Sequence, residues 1–431
     1  MEKSNFKRYF QFFLIILAAG AIYPVIYLRT NYQVTILEVF NLTQVQLNNF
    51  YSMLGIAYVI GYIPSGIIAD KISVKKLITI SLFGTSLCGF WFAQVPNHAS
   101  VNIIFFLWGI FSVFTFWSAH MKIVKMLAKA KEEGRFFGIL DGGRGVVEAL
   151  MASIGLAVFA AILGNSEALI DKKSALVAVV YVYSAVVFIV AVLISIFVDS
   201  DKKLAAMAEN KGESDVEKFH FKDVGKLLKN KYVYLMGGII FMGYAVFWTV
   251  YYIGGFLQTN IGIDAVSVGT ITVIVLWMRP VGGFIGGFLA DKIGRTTTIS
   301  IAIGAAAILL IVSALTPVSA AKLFPIIMVV LGIFLYMIRG TYWSLLGMSK
   351  IEAAMMGTAI GVISFIGYLP DIILPQLNSF LWATFGDKGG YNAYFIVSAA
   401  LGLLGIVILA VYARLNSTEK KEKKNEINMS C

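Results

Sequence analysis

The feature that most constrains this chain is the recurrence, twelve times over, of an apolar run close to twenty residues long. A helix rises about 1.5 Å per residue, so about 20 apolar residues span the ~30 Å hydrocarbon core of a bilayer. Such runs lie near residues 9–28, 47–69, 76–95, 101–122, 136–163 and 175–198, and again near 232–258, 266–290, 297–316, 323–348, 356–381 and 392–414. With 59% hydrophobic and 14% charged residues, no water-soluble core could hide this much apolar surface. The expected fold is an all-α membrane protein of twelve transmembrane helices in two six-helix bundles. The boundaries give a first bundle over 1–198, a polar cytoplasmic connector over 199–231, a second bundle over 232–414 and a cytoplasmic tail over 415–431. The first run follows basic residues and continues without a small-residue cleavage site, so it reads as a retained helix.

A formal charge of +11 suggests a nucleic-acid partner only if the basic residues form one face of a soluble domain. They fall instead in alternate loops. Lys3, Lys7, Arg8, Lys71, Lys75, Lys76, Lys122, Lys125, Lys129, Lys131, Arg135, the connector lysines, Lys292, Arg295, Lys350 and the tail from Lys420 to Lys424 share one side; Arg29, Lys172, Lys173, Lys322 and Lys388 take the other. Positive residues accumulate on the cytoplasmic side, which predicts a multi-pass inner or plasma membrane protein with both termini in the cytoplasm and no nucleic-acid partner. Cys88 and Cys431 form no ligand cluster or disulfide framework, and no phosphate-cradling glycine loop occurs. Neither a cofactor nor a metal is expected. No set of nucleophile, base and orienting group appears, so the chain does not read as an enzyme.

The two halves share a phrase. After the second run stand Gly66, Asp70, Lys71, Ser73, Val74, Lys75 and Lys76; after the eighth stand Gly287, Asp291, Lys292, Gly294 and Arg295. Matched positions in two halves are the mark of parallel repeats. An Asp at a helix end beside basic residues can form a charge-assisted clamp that a rocking motion breaks. These loops resemble the G-x-x-x-D-(R/K)-x-G-(R/K)-(R/K) signature of the Major Facilitator Superfamily, with Ser73 and Val74 as departures in the first copy. The resemblance implies alternating access around a central cavity, with Asp70, Lys71, Asp291, Lys292 and Arg295 in gating roles. Arg279, Pro280, Gly282 and Gly283 are similar to the eighth helix of nitrate/nitrite porters, but the second run has no matching arginine.

Five ionisable residues fall well inside the runs: Arg144, Glu148, Arg279, Arg339 and Asp371. Each costs about 2.5–3.5 kcal/mol by insertion scales, so they are expected to face a shared aqueous cavity. Arg144 and Glu148 are four apart on one helix face, with Asp141 three before Arg144. That spacing admits an intrahelical ion pair, or a proton-coupling Glu148 beside an anion-binding Arg144. Asp371, between Pro370 and Pro375, is the stronger candidate for proton coupling, with a structural salt bridge to Arg279 or Arg339 as the alternative. Guanidinium groups suit carboxylate, phosphate or nitrate, so Arg144, Arg279 and Arg339 are candidate substrate ligands. Tyr23, Tyr27, Trp248, Tyr252, Tyr336 and Trp343 follow these charges at helical spacings; such stripes serve packing or orient a substrate. His98, His120 and His220 read as solvated residues at loops or helix ends, Asn41 to Thr43 as a glycosylation pattern, and Gly142, Gly143 and Gly145 as packing glycines.

The expected function is a secondary active transporter taking up a small, anionic organic solute with a proton or another ion. The alternatives are a nitrate/nitrite-type anion transporter, an exporter of amphipathic compounds, and a membrane sensor on a transporter body, which the short connector disfavours.

Overall fold

The computed structural model describes residues 2–128, 133–201, 203–204, 225, 229–348 and 356–429. Lys129, Lys131, His220, Lys350 and most of the connector lie outside the described residues, as do the side chains of Asp70, Arg135 and the tail lysines. No strand occurs among the described residues.

Among the described residues, twelve helices follow in chain order. α1 comprises Glu2–Ala21 and resumes as Arg29–Val39 after turns around Pro24; α2 is Gln44–Lys71 and α3 Val74–Phe92. α4 spans His98–Leu127 through a π-helical stretch at Ile110–Phe114, α5 is Glu133–Leu163 and α6 Leu169–Phe197. α7 spans Lys231–Ile261, α8 is Ala265–Ile293, α9 Arg295–Leu315 and α10 runs over Val318–Leu346. α11 begins as Met356–Gly367, and Pro370–Met429 is broken at Gly386 (φ 70°), so residues 370–385 complete α11 and residues 387–429 form α12. Every apolar run became a helix, and most extend several residues beyond it because polar ends continue the backbone ladder. Eight of the described helical stretches, the last covering both α11 and α12, are long and apolar enough to cross a membrane.

The helix ends are capped by short polar side chains. Thr43 and Gln46 form a reciprocal capping box at α2, which gives Thr43 a structural role in the Asn41–Thr43 pattern. Asn97 caps α4 and Asp264 caps α8. Side-chain and backbone hydrogen bonds from Ser267 hold the Asp264 carboxyl below the ordinary carboxylate range.

The chain forms two compact units, residues 1–215, 251–280 and 371–391 in one and 216–250, 281–370 and 392–431 in the other. In the first unit α3 packs along α6, α2 on α4, and α1 on α5. Beyond α6, Asp199 takes Lys7 Nζ at 2.7 Å and Gln11 Nε2 at 2.9 Å, while Asp201 accepts Ser73 Oγ at 2.8 Å and the Val74 N–H at 3.0 Å. Burial pushes the Asp199 carboxyl up, and the hydrogen bonds from Lys7 and Gln11 outweigh it, so the group sits below its ordinary value. In the second unit α7 packs on α11 through a reciprocal exchange: a Cβ at Gly237 would meet Ile366, and one at Gly367 would meet Ile240. Large apolar side chains point outward on many helices, among them Phe284 and Ile308, as lipid-facing surfaces require.

Candidate functional site

In the first unit α5 and α8 bring four charges together. Arg144 Nε donates to Glu148 Oε1 at 2.9 Å along α5, and Arg279 NH1 of α8 donates to Glu148 Oε2 at 2.6 Å. Arg279 NH2 reaches Asp141 Oδ1 at 3.0 Å. One carboxylate is thus shared between two guanidinium groups. The side chains of Arg144 and Glu148 are each 14% exposed and Arg279 12%, whereas Asp141 is 69% exposed. Two positive and two negative groups sum to zero formal charge, which makes the cluster tolerable at membrane depth. A glycine makes room for it: a Cβ at Gly145 would stand 2.8 Å from Arg279 Cδ. Gly143 likewise accommodates Ile16, but Gly142 faces open space and takes no part in close packing.

Arg279 therefore forms its salt bridges with Glu148 and Asp141, not with Asp371. Asp371 is buried, 3% exposed, in the first turn of the resumed α11, where an acid complements the helix dipole. Its backbone presses against Gly55 of α2, whose Cβ would meet the Asp371 carbonyl, and it lies within electrostatic reach of Tyr58.

The aromatic candidates divide among three environments. Tyr23 lies under the Arg144 guanidinium, 4.4 Å from its ring centroid, and Tyr27 stacks on Tyr251 at 4.8 Å. Tyr252 is fully buried. Its hydroxyl donates to Asn48 and accepts from Arg29 NH1 at 3.3 Å. In the second unit Arg339 rests on Phe247 and Tyr244, 4.8 and 5.1 Å from their centroids, and donates to the Tyr342 hydroxyl at 3.3 Å. Tyr336 packs edge-on against Phe247, Trp343 Nε1 donates to the Tyr368 hydroxyl, and Trp248 is buried.

Of the gating candidates, Lys71 ends α2, and Asp291 and Lys292 are exposed near the end of α8. Arg295 NH1 donates to the Ser344 carbonyl of α10 at 2.9 Å.

Arg29 corrects the sequence reading. Placed there in a loop after Leu28, it is fully buried where α1 resumes, 3.8 Å from the Tyr51 centroid and 4.8 Å from that of Tyr252. A hydrogen-bonded chain runs on through Asn48, Gln44, Gln33 and Tyr391. Its sequence signal was the polar stripe of Gln44, Asn48 and Ser52 at four-residue spacing on α2. His120 is a second correction: it is buried, with Nδ1 3.3 Å from the Phe116 carbonyl and its ring stacked on Phe116.

A sequence profile of the Major Facilitator Superfamily matches residues 9–375. The chain belongs to the Major Facilitator Superfamily. Among curated relatives of this superfamily member, the Escherichia coli inner membrane protein YqcE is 25% identical over 427 residues, covering 97% of this chain and 98% of the relative. Escherichia coli inner membrane protein YihN is 26% identical over 423 residues, covering 96% and 98%. Among solved structures, a bacterial homolog of the human lysosomal transporter Spinster, inward-facing and unoccupied, superposes with a TM-score of 0.76 at 13% identity, covering 95% of this chain and 97% of that one. The nucleoside transporter NupG gives 0.70 at 14% identity, covering 93% and 98%. The superfamily member is a multi-pass membrane transporter, with all-α architecture in the fold of its family.

Proposed function

We propose that this transporter takes up a small organic anion together with a proton by alternating access, in an inner membrane with both termini cytoplasmic. The observation that carries the reading is the carboxylate of Glu148 held between Arg144 and Arg279. A substrate anion arriving at the guanidinium pair competes with Glu148 for the same donors. Glu148, displaced from them, then accepts a proton, because a carboxylate at this depth without its counter-charges is strongly disfavoured. Empty and loaded clusters thereby carry the same formal charge. Asp371 is a second proton carrier or a polar substrate contact in this scheme. The bundles over 1–198 and 232–414 are the moving parts, and the loops bearing Asp70, Lys71, Asp291, Lys292 and Arg295 act as gates.

Uptake into proteoliposomes under an imposed pH gradient tests the scheme. Arg279→Ala is expected to abolish uptake with normal expression, and Arg339→Ala to do the same if that arginine also takes part in anion binding; normal transport by both variants removes the anion site. Glu148→Gln is expected to bind the anion while losing acceleration by the gradient. If Asp371→Asn keeps proton-driven accumulation with unchanged pH dependence, Asp371 is structural. The nitrate-type alternative draws support from the Arg279 to Gly283 phrase, and competition by nitrate distinguishes it.

A further inference from the structure

Resting on the anion site above, the geometry points to a substrate whose anionic group is carried on a hydroxylated, ring-sized carbon body, of the sugar-acid or sugar-phosphate class. Beside the charge cluster stands a wall of phenol rings. Tyr23 and Tyr27 of α1 flank the Pro24 break, and Tyr23 is covered by the same Arg144 guanidinium that binds Glu148. Tyr27 lies parallel to Tyr251, with an interplanar angle of 11°, and its hydroxyl is 3.5 Å from that of Tyr58. Ser112 Oγ donates to the Tyr58 hydroxyl at 3.4 Å, and Tyr62 follows one turn along α2. Tyr23, Tyr27, Tyr62 and Tyr251 are all partly exposed.

Packing alone does not call for this chemistry. A phenol must satisfy a hydroxyl wherever it is buried, and phenylalanine fills the same volume without that demand. The sequence uses Phe more often than Tyr, 32 against 20, yet each of these wall positions carries Tyr. Ring faces suit the C–H face of a pyranose or an extended polyol, and the hydroxyls exchange hydrogen bonds with its own. The guanidinium at the end of the wall takes a carboxylate or phosphate. A bare inorganic anion uses only the arginines, and an apolar amphipath leaves the hydroxyls unmatched when it displaces water.

The test uses the purified full-length protein in thermal-shift titrations, with uptake competition in proteoliposomes. The probes are D-glucuronate, D-gluconate and glucose 6-phosphate, set against lactate and nitrate. At least one of the three sugar-derived anions is expected to bind about ten-fold or more tightly than lactate or nitrate, about 1.4 kcal/mol. Tyr27→Leu is expected to weaken binding of the sugar-derived anions by a larger factor than that of lactate, and Tyr27→Phe, which keeps the ring, to do so in part. Equal binding of all five probes, no binding by any of the three sugar-derived anions, or a uniform loss across probes in both Tyr27 variants overturns the assignment. Arg279→Ala separates the two ideas. If it abolishes lactate binding while the Tyr27 variants discriminate nothing, the anion site stands and the substrate class falls.

Discussion

Two arginines at membrane depth, one in each unit, are held in opposite ways. Arg279 is bridged by the carboxylates of Glu148 and Asp141, whereas Arg339 lies on the faces of Tyr244 and Phe247 with a hydrogen bond to Tyr342. A carboxylate bridge is strong and directional, and removing one partner leaves a charge stranded in a medium that penalises it. A ring face offers a shallower attraction, worth about 0.5–2 kcal/mol, that tolerates sliding of the cation. The first arrangement suits an exchange of one anion for another; the second suits a cation that must keep its charge while its neighbours shift.

The largest effect is expected at the shared carboxylate. Glu148→Ala leaves Arg144 and Arg279 without their common partner and should cost about 3 kcal/mol, the low end of the range for a broken buried pair because these groups keep some exposure. Thermal unfolding in detergent would read it, and a Tm equal to wild type would break the contrast between the two arginines. Next comes the charge swap: Glu148→Arg with Arg279→Glu should recover only the share carried by the bridge between the two positions, because it sets like charges beside Arg144 and Asp141, and should not restore transport. Arg339→Lys should be milder, about 1 kcal/mol, because a strongly hydrated ammonium gains less from ring faces than a guanidinium does. A loss there matching that of Glu148→Ala would erase the energetic difference between the two arginines.

The smallest effect calibrates the rest. Asp199→Asn removes the Lys7 pair at the membrane edge and should cost at most about 1 kcal/mol at neutral pH. The native carboxyl lies below its ordinary value, so its contribution is present above about pH 4 and fades as pH falls through the native value. Wild type and variant should therefore converge in acid.

What the sequence made legible follows from local spacing. The twelve apolar runs needed only hydropathy, and the Arg144–Glu148 pair needed only the four-residue helical repeat. The Arg279–Glu148 bridge spans 131 positions, and no periodicity announces such a partner; the sequence offers a bridge from Arg279 or Arg339 to Asp371 only as the alternative to proton coupling. Arg29 was missed because in the sequence the apolar run ends at a charge, although the helix merely breaks at Pro24 and resumes. The two signature loops show the same limit. Gly294 adopts φ 93°, where glycine is needed, but Ser73 has φ −51°, so the first copy can dispense with glycine and use the serine hydroxyl on Asp201.

Gly145 carries the last consequence. It has no functional group, yet the stem of Arg279 occupies the volume that any larger residue would claim. In a saturation scan, then, this position should reject bulky residues, and alanine, normally the mildest exchange, should there force the Arg279 stem to shift and so weaken its bridges.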